Sequence, residues 1–205
     1  MAADRLAELV HDGFDLGFVS TSEQTTAYAR GLGLEVLDID CVESIDVTID
    51  GADEVGPRLD LIKGLGGALL REKIVASMTE KEVIVVDEFK VVNRLGTSAP
   101  LPVEVCGFAH VATARALEGL GCEPVLRLKD GRPFVTDGGN LIYDCRFDGI
   151  DDPSYLETAI DTIPGVVECG LFVGLTHAVE AYREEDDSVI ELRITDRRAG
   201  PRGSP

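Results

Sequence analysis

The chain has no tryptophan, three histidines (His11, His110, His177) and five cysteines (Cys41, Cys106, Cys122, Cys145, Cys169) in 205 residues. The cysteines are odd in number, widely spaced and without a Cys-x-x-Cys pair. Neither a disulfide framework nor a zinc site follows, and reduced thiols are expected. No histidine stands at metal-ligand spacing from a cysteine or from another histidine, so no metal is expected. Long apolar runs are missing too: none approaches the length of a membrane span. The opening MAADRLAELVHDGF has no basic region ahead of an apolar one. A cytoplasmic chain without membrane segment or secretory signal is expected.

Positive charge is the scarcest resource. Nineteen basic against 38 acidic residues give a formal net charge of −19, with an isoelectric point near 4.4. Such a surface repels phosphate backbones, and no basic patch offsets it, which excludes nucleic acid as a partner. Dispersed acid is one way to stay soluble at high salt, so the composition fits a halophilic source as well as an ordinary acidic cytosolic protein.

Apolar residues make up 44% of the chain, ample for a packed core. Helical spacing of Leu6, Leu9 and Val10 predicts a helix over 3–11. A short strand at 17–19 precedes a helix capped by Thr21 or Ser22 and ending at Gly31 and Gly33, and 34–39 reads as the next strand. Strands alternating with helices imply an α/β fold, a parallel sheet with helices on its faces. After the turn-rich run 96–102, GTSAPLP, the pattern changes. Strand 103–105, helix 109–120, strand 124–128, a hairpin (133–136 and 140–145) turning on Asp137-Gly138-Gly139, helix 153–163 and strand 166–173 give β-α-β-β-α-β with one extra strand segment. That is the ferredoxin-like motif. The expected division is therefore a first domain of 1–98 plus 176–194, the latter as a helix and a strand from Ser188, and a smaller α+β lobe of 99–175. The tail 195–205 has no apolar face and is expected to be disordered.

Chemistry concentrates between Asp46 and Lys90. A strand at 47–49 ends in the acidic turn Asp50-Gly51-Ala52-Asp53-Glu54. Asp50 and Asp53 lie three apart across a glycine, so both carboxylates can enter one pocket, where like charges lift one proton affinity. An Asx-type turn that merely caps amides reads equally well. Lys63 precedes Gly64-Leu65-Gly66-Gly67; glycine amides can approach an anion closely, and the lysine can hold a phosphate or a developing oxyanion. The run is neither a Walker loop nor Gly-x-Gly-x-x-Gly, and a flexible turn with a solvated lysine is the alternative. Glu72 falls in the next helix, roughly opposite Leu70 and Ile74, which by itself reads as surface. Lys90 follows strand 83–86. Carboxylates and lysines at strand ends beside a helix start suggest a small anionic ligand.

The blocks Asp50 to Glu54, Ile62-Lys63-Gly64 through Arg71-Glu72-Lys73-Ile74, Pro100 to Val105, Val135 to Asn140 and Pro164 to Phe172, in this order, resemble ribose-5-phosphate isomerase type A. The resemblance implies a Rossmann-like domain with a small ferredoxin-like lobe, assembled as a homodimer or homotetramer. It also implies cofactor-free interconversion of D-ribose 5-phosphate and D-ribulose 5-phosphate in the pentose phosphate network. Glu72 matches the family's catalytic base. Asp50 and Asp53, with Gly51 and Ala52 between them, match the substrate-binding turn, Asp50 helping to open the sugar ring. Lys63, with Gly64, Leu65 and Gly66, matches the enediolate-stabilising loop, and Lys90 another substrate-binding lysine. Two departures stand out. Leu65 occupies a usual glycine, and no Gly-x-Gly-Thr-Gly-Ser-Thr loop precedes the first helix, so weakened phosphate affinity is expected. The competing expectations are a catalytically silent sugar-phosphate binder or scaffold, and a relative acting on amino-sugar phosphates or coenzyme A esters.

Overall fold

In the computed structural model, which describes residues 2–193, helix α1 (Ala2–His11) is followed by α2 (Glu23–Gly31). Ser22 caps α2, its hydroxyl accepting from the Thr25 amide at 3.1 Å. The strands expected at 17–19 and 34–39 shrink to one parallel bridge, Phe18 to Val36. Their neighbours Leu16 and Leu37 stay exposed, so little burial rewards a longer pairing.

Strand β1 (Ile45–Asp50) opens the main sheet, and the short β2 (Glu54–Val55) and β3 (Leu61–Ile62) form an antiparallel pair beyond the acidic turn. Helix α3 (Leu69–Ser77) leads to β4 (Thr79–Asp87), parallel to β1 with Thr48 opposite Glu82 and Asp50 opposite Ile84.

The lobe comprises β5 (Leu101–Val105), α4 (His110–Glu118), β6 (Glu123–Leu126), the small hairpin β7 (Leu128–Lys129) and β8 (Arg132–Pro133), β9 (Leu141–Arg146), α5 (Pro153–Asp161) and β10 (Val166–Cys169). Its sheet runs β10-β5-β9-β6, every pair antiparallel. In lobe order that is fourth, first, third, second, the arrangement the sequence pattern predicts. Leu101, Val103, Leu117, Tyr143 and Ile160 fill its core.

Beyond the lobe come β11 (Leu171–Phe172), β12 (Ala178–Arg183) and β13 (Ser188–Arg193). The single strand expected over 166–173 breaks at Gly170. Its amide donates to Pro102 O at 2.7 Å and its carbonyl accepts from the Lys63 amide at 2.9 Å, and a Cβ there would sit 2.2 Å from Lys63 O. The chain therefore switches sheets at a residue that only glycine can occupy, and β11 pairs with β3. The helix expected within 176–194 is strand β12, parallel to β4 and followed by antiparallel β13. Val179 and Ala181 pack against Ile84 and Val86, so the period-two pattern overrides the helical preference of Ala and Glu. The main sheet is thus β1-β4-β12-β13. The expected disorder of 195–205 concerns residues outside those described. Among the described residues no helix is long and apolar enough to cross a membrane.

Candidate active site

Asp50 ends β1, Asp53 lies in the following turn, and the Lys63–Gly67 loop meets them from the β3 side. With Glu72 and Lys90 they enclose a cavity of about 180 Å³, lined by Asp50, Gly51, Ala52, Asp53, Lys63, Gly64, Gly66, Glu72 and Lys90. The loop's shape depends on glycine at two points. Gly64 has φ +108° with the Leu69 side chain close behind it, and Gly67 has φ +88° against the Phe134 ring. Leu65 needs no such freedom. Its side chain is exposed, and its amide donates to Asp53 Oδ2 at 2.9 Å.

Lys63 is the centre of charge. Only 3% exposed, it donates to Asp50 Oδ2 at 2.8 Å and to the Gly51 carbonyl, and its ammonium lies 3.3 Å from Glu72 Oε2. The Phe172 ring, 5.4 Å away, closes its other side. Burial pushes the Lys63 proton affinity down, but the Glu72 and Asp50 carboxylates more than reverse this, and it stands above the usual lysine value. The ammonium is therefore permanent at working pH.

Glu72 corrects the sequence reading that it leaves the core stripe. The buried face of α3 carries Leu69, Val75 and Ala76, while Ile74 is exposed. Position 72 is three residues past Leu69 and four before Ala76, so it shares that face. Its side chain is 14% exposed, and Oε2 is buried with no hydrogen-bond partner. Burial raises its pKa first, and Asp50 and Asp53 add to this against the pull of Lys63. A buried carboxylate that is ion-paired to Lys63 but accepts no hydrogen bond at Oε2, and whose proton affinity is raised, suits a general base. Burial likewise raises Asp53. Lys90, in the turn Glu88–Lys90, donates to Ala52 O at 2.8 Å and lines the same cavity.

Two residues here escape a reading of the sequence. Arg127 reaches from the lobe, donating to Gly64 O at 2.9 Å and Leu65 O at 3.1 Å. It is itself fixed by Asp144 (2.9 Å from Nε) and stacked over Phe134. Nothing local marks an arginine between Leu126 and Leu128 for that role. Glu82 of β4 is 1% exposed. The inward alternation of Ile84 and Val86 was the signal that could have found it. Among the described residues one further group has ligand spacing for a metal, Asp161, Glu168 and Cys169. Lys73 already occupies it, 2.6 Å from Glu168.

The family description "Ribose 5-phosphate isomerase A (phosphoriboisomerase A)" matches residues 17–186. The chain is 54% identical over 179 residues to ribose-5-phosphate isomerase A of Gloeobacter violaceus, covering 87% of this chain and 78% of that one. It is 49% identical over 197 residues to the Thermomicrobium roseum protein of the same name, covering 95% and 83%. Among solved structures, ribose 5-phosphate isomerase from Plasmodium falciparum superposes with a TM-score of 0.87 at 35% identity, covering 94% of this chain and 85% of that one. A D-ribose-5-phosphate isomerase in complex with phospho-erythronic acid superposes with a TM-score of 0.89 at 37% identity, covering 93% and 84%. The chain belongs to the ribose 5-phosphate isomerase A family.

Proposed function

We propose that this chain interconverts D-ribose 5-phosphate and D-ribulose 5-phosphate, with Glu72 moving the proton. The observation that carries the assignment is the buried Glu72 carboxylate, whose Oε2 has no hydrogen-bond donor and is ion-paired to the buried Lys63 ammonium in the small cavity. Asp50 assists opening of the furanose ring, and Asp53 and Lys90 hold hydroxyls of the open chain.

Glu72 then takes the proton from C2. The C2–H electrons form the C1–C2 double bond, and the C1 carbonyl oxygen becomes an oxyanion facing Lys63, a fixed cation that needs no reorientation as charge develops. Return of the proton to C1, with loss of the C2 hydroxyl proton and protonation of O1, yields the ketose. The raised proton affinity of Glu72 lets one carboxyl serve as base and then acid. A silent binding protein would not need a buried carboxylate with a raised proton affinity beside the Lys63 ammonium, and the family membership favours the isomerase.

The same reading makes the substrate a sugar phosphate in the pentose phosphate network. It places the chain in the cytoplasm as a homodimer or homotetramer, with its acid-rich surface suited to high salt. The test is conversion of ribose 5-phosphate by wild type and by Glu72→Gln in molar salt. Turnover that collapses in the variant while substrate still binds supports the assignment; turnover that survives removes Glu72 as the base.

A further inference from the structure

The described residues hold two buried carboxylate oxygens without a hydrogen-bond partner. One belongs to Glu72, and the other is Oε2 of Glu82. Glu82 is 1% exposed in the middle of the main sheet. Its backbone is fully engaged: the amide donates to His177 Nδ1 at 3.0 Å and the carbonyl accepts from the His177 amide at 3.0 Å. Its carboxyl Oε2 is buried without a hydrogen bond, at a position where a strand of this burial would ordinarily carry valine or isoleucine.

The register shows where that carboxyl points. Glu82 is opposite Thr48 on parallel β1, and Asp50 lies two residues further on, opposite Ile84. Opposed residues of a parallel pair face the same way, so Glu82, Ile84 and Asp50 share one face, with Glu82 and Asp50 roughly 8 Å apart at their α-carbons by strand rise and spacing. Helix α3 packs on β1 and β4 over this face, and it carries Glu72 on its buried side. Glu82 thus lies beneath the site. The charged groups around it are Asp50 from β1, Glu72 from α3, Lys63 from the loop and, at the backbone, His177 ahead of β12. Lys73, also on α3, is turned away to Glu157 and Glu168.

Three carboxyls surround one ammonium. Asp50 and Glu72 already take up the Lys63 charge, so the third keeps its proton. We propose that Glu82 is a positioning residue of the isomerase site, a proton-holding carboxyl whose charge state sets how strongly Glu72 binds the proton it carries between C1 and C2. Burial, reinforced by Asp50, lifts Glu82 to about 7. Below that pH the site holds a neutral acid behind the base. Above it a third negative charge lies behind Glu72 and makes it a stronger base. Because the two titrations are coupled, each must move the other.

This inference rests on Glu72 being the base, and two experiments keep the readings separate. In the first, kcat and KM of wild type, Glu82→Gln and Glu82→Leu are followed across pH. With Brønsted behaviour the wild-type to Glu82→Gln ratio of kcat should grow from about one at about pH 6 to about threefold at about pH 8, with KM unchanged and Glu82→Leu following Glu82→Gln. A ratio constant across pH makes Glu82 structural and overturns the proposal. Wild type without isomerase activity overturns the function instead. The second experiment needs no turnover and no change at Glu82. Carbon-detected NMR of the glutamate carboxyls in wild type should show a buried carboxyl titrating near neutrality, and Glu72→Gln, which removes a negative neighbour, should move that titration to lower pH. A titration that does not move overturns the coupling, even if the Glu82 variants fail to fold.

Discussion

The two sheets treat buried polarity in opposite ways. In the lobe, the buried Glu104 carboxylate accepts from Thr136 Oγ1 and Asn140 Nδ2, both at 2.9 Å, and Thr113 donates to Pro164 O at 3.2 Å. Around the parallel sheet, Glu72, Glu82 and Thr176 each keep a buried oxygen without a partner. The lobe pairs these buried polar groups, whereas around the main sheet unpaired atoms remain on Glu72, which lines the cavity, and on Glu82 of β4. Unsatisfied groups of this kind cost free energy, and the role of base proposed for Glu72 gives a reason for one of them at the cavity wall.

Substitutions can break that contrast, and the largest effect belongs to Glu72→Gln. Removing a general base should lower kcat by roughly 10²–10⁴-fold with KM little changed, measured by steady-state kinetics. Melting temperature should change little, since Asp50 still pairs with Lys63 in the variant and a buried carboxylate is removed. Next is Lys63→Met, which strands Asp50 and Glu72 as buried carboxylates and should cost about 3–5 kcal/mol of stability by urea denaturation at alkaline pH. The sign follows from the raised Lys63 proton affinity. That lysine's contribution is present below its ordinary pKa and lost only above the folded one, so across neutral pH the variant's deficit tracks the carboxylates. It should shrink as acid protonates Glu72, whose pKa is itself raised.

Arg127→Lys tests the lobe's reach into the site. A lysine cannot span Gly64 O, Leu65 O and Asp144 together, and loss of such charged hydrogen bonds, about 1.5–3 kcal/mol, should appear mainly in kcat/KM. A variant that loses stability alone would confine Arg127 to lobe packing. The smallest effect is expected from Leu65→Gly. With an exposed side chain and no positive φ to relieve, the change should cost no more than about 1 kcal/mol through added freedom of the unfolded chain, and the Asp53 to Leu65 amide bond should survive. A large loss of substrate affinity would give the leucine a role in binding.

The sequence made the lobe easier to read than the site. Its strands and helices alternate with clear periods and glycine punctuation, and local pattern dictates such elements. Asp50, Asp53, Lys63 and Glu72 could be nominated because they fall at strand ends and a helix start. The face on which Glu72 lies is misread from the sequence, because Leu70 and Ile74 look like the core stripe, whereas tertiary packing selects Leu69, Val75 and Ala76. Arg127 and Gly170 act through contacts with residues more than sixty positions away, which no local window contains. Strand β12 was mistaken for a helix because AVEAYR has helical composition and only its neighbour β4 makes it a strand.

Asp53 and Glu54 are consecutive, and their carboxylates serve different halves of the molecule. Asp53 lines the cavity, while Glu54, fully buried, accepts from the amides of Gly96, Ser98 and Ala99 at 2.6, 2.5 and 2.7 Å. Those amides belong to the crossover into the lobe. One peptide bond therefore joins a carboxylate that lines the cavity to one that anchors the crossover, so the position of the cavity wall and the seating of the lobe are fixed by neighbouring residues of the same turn.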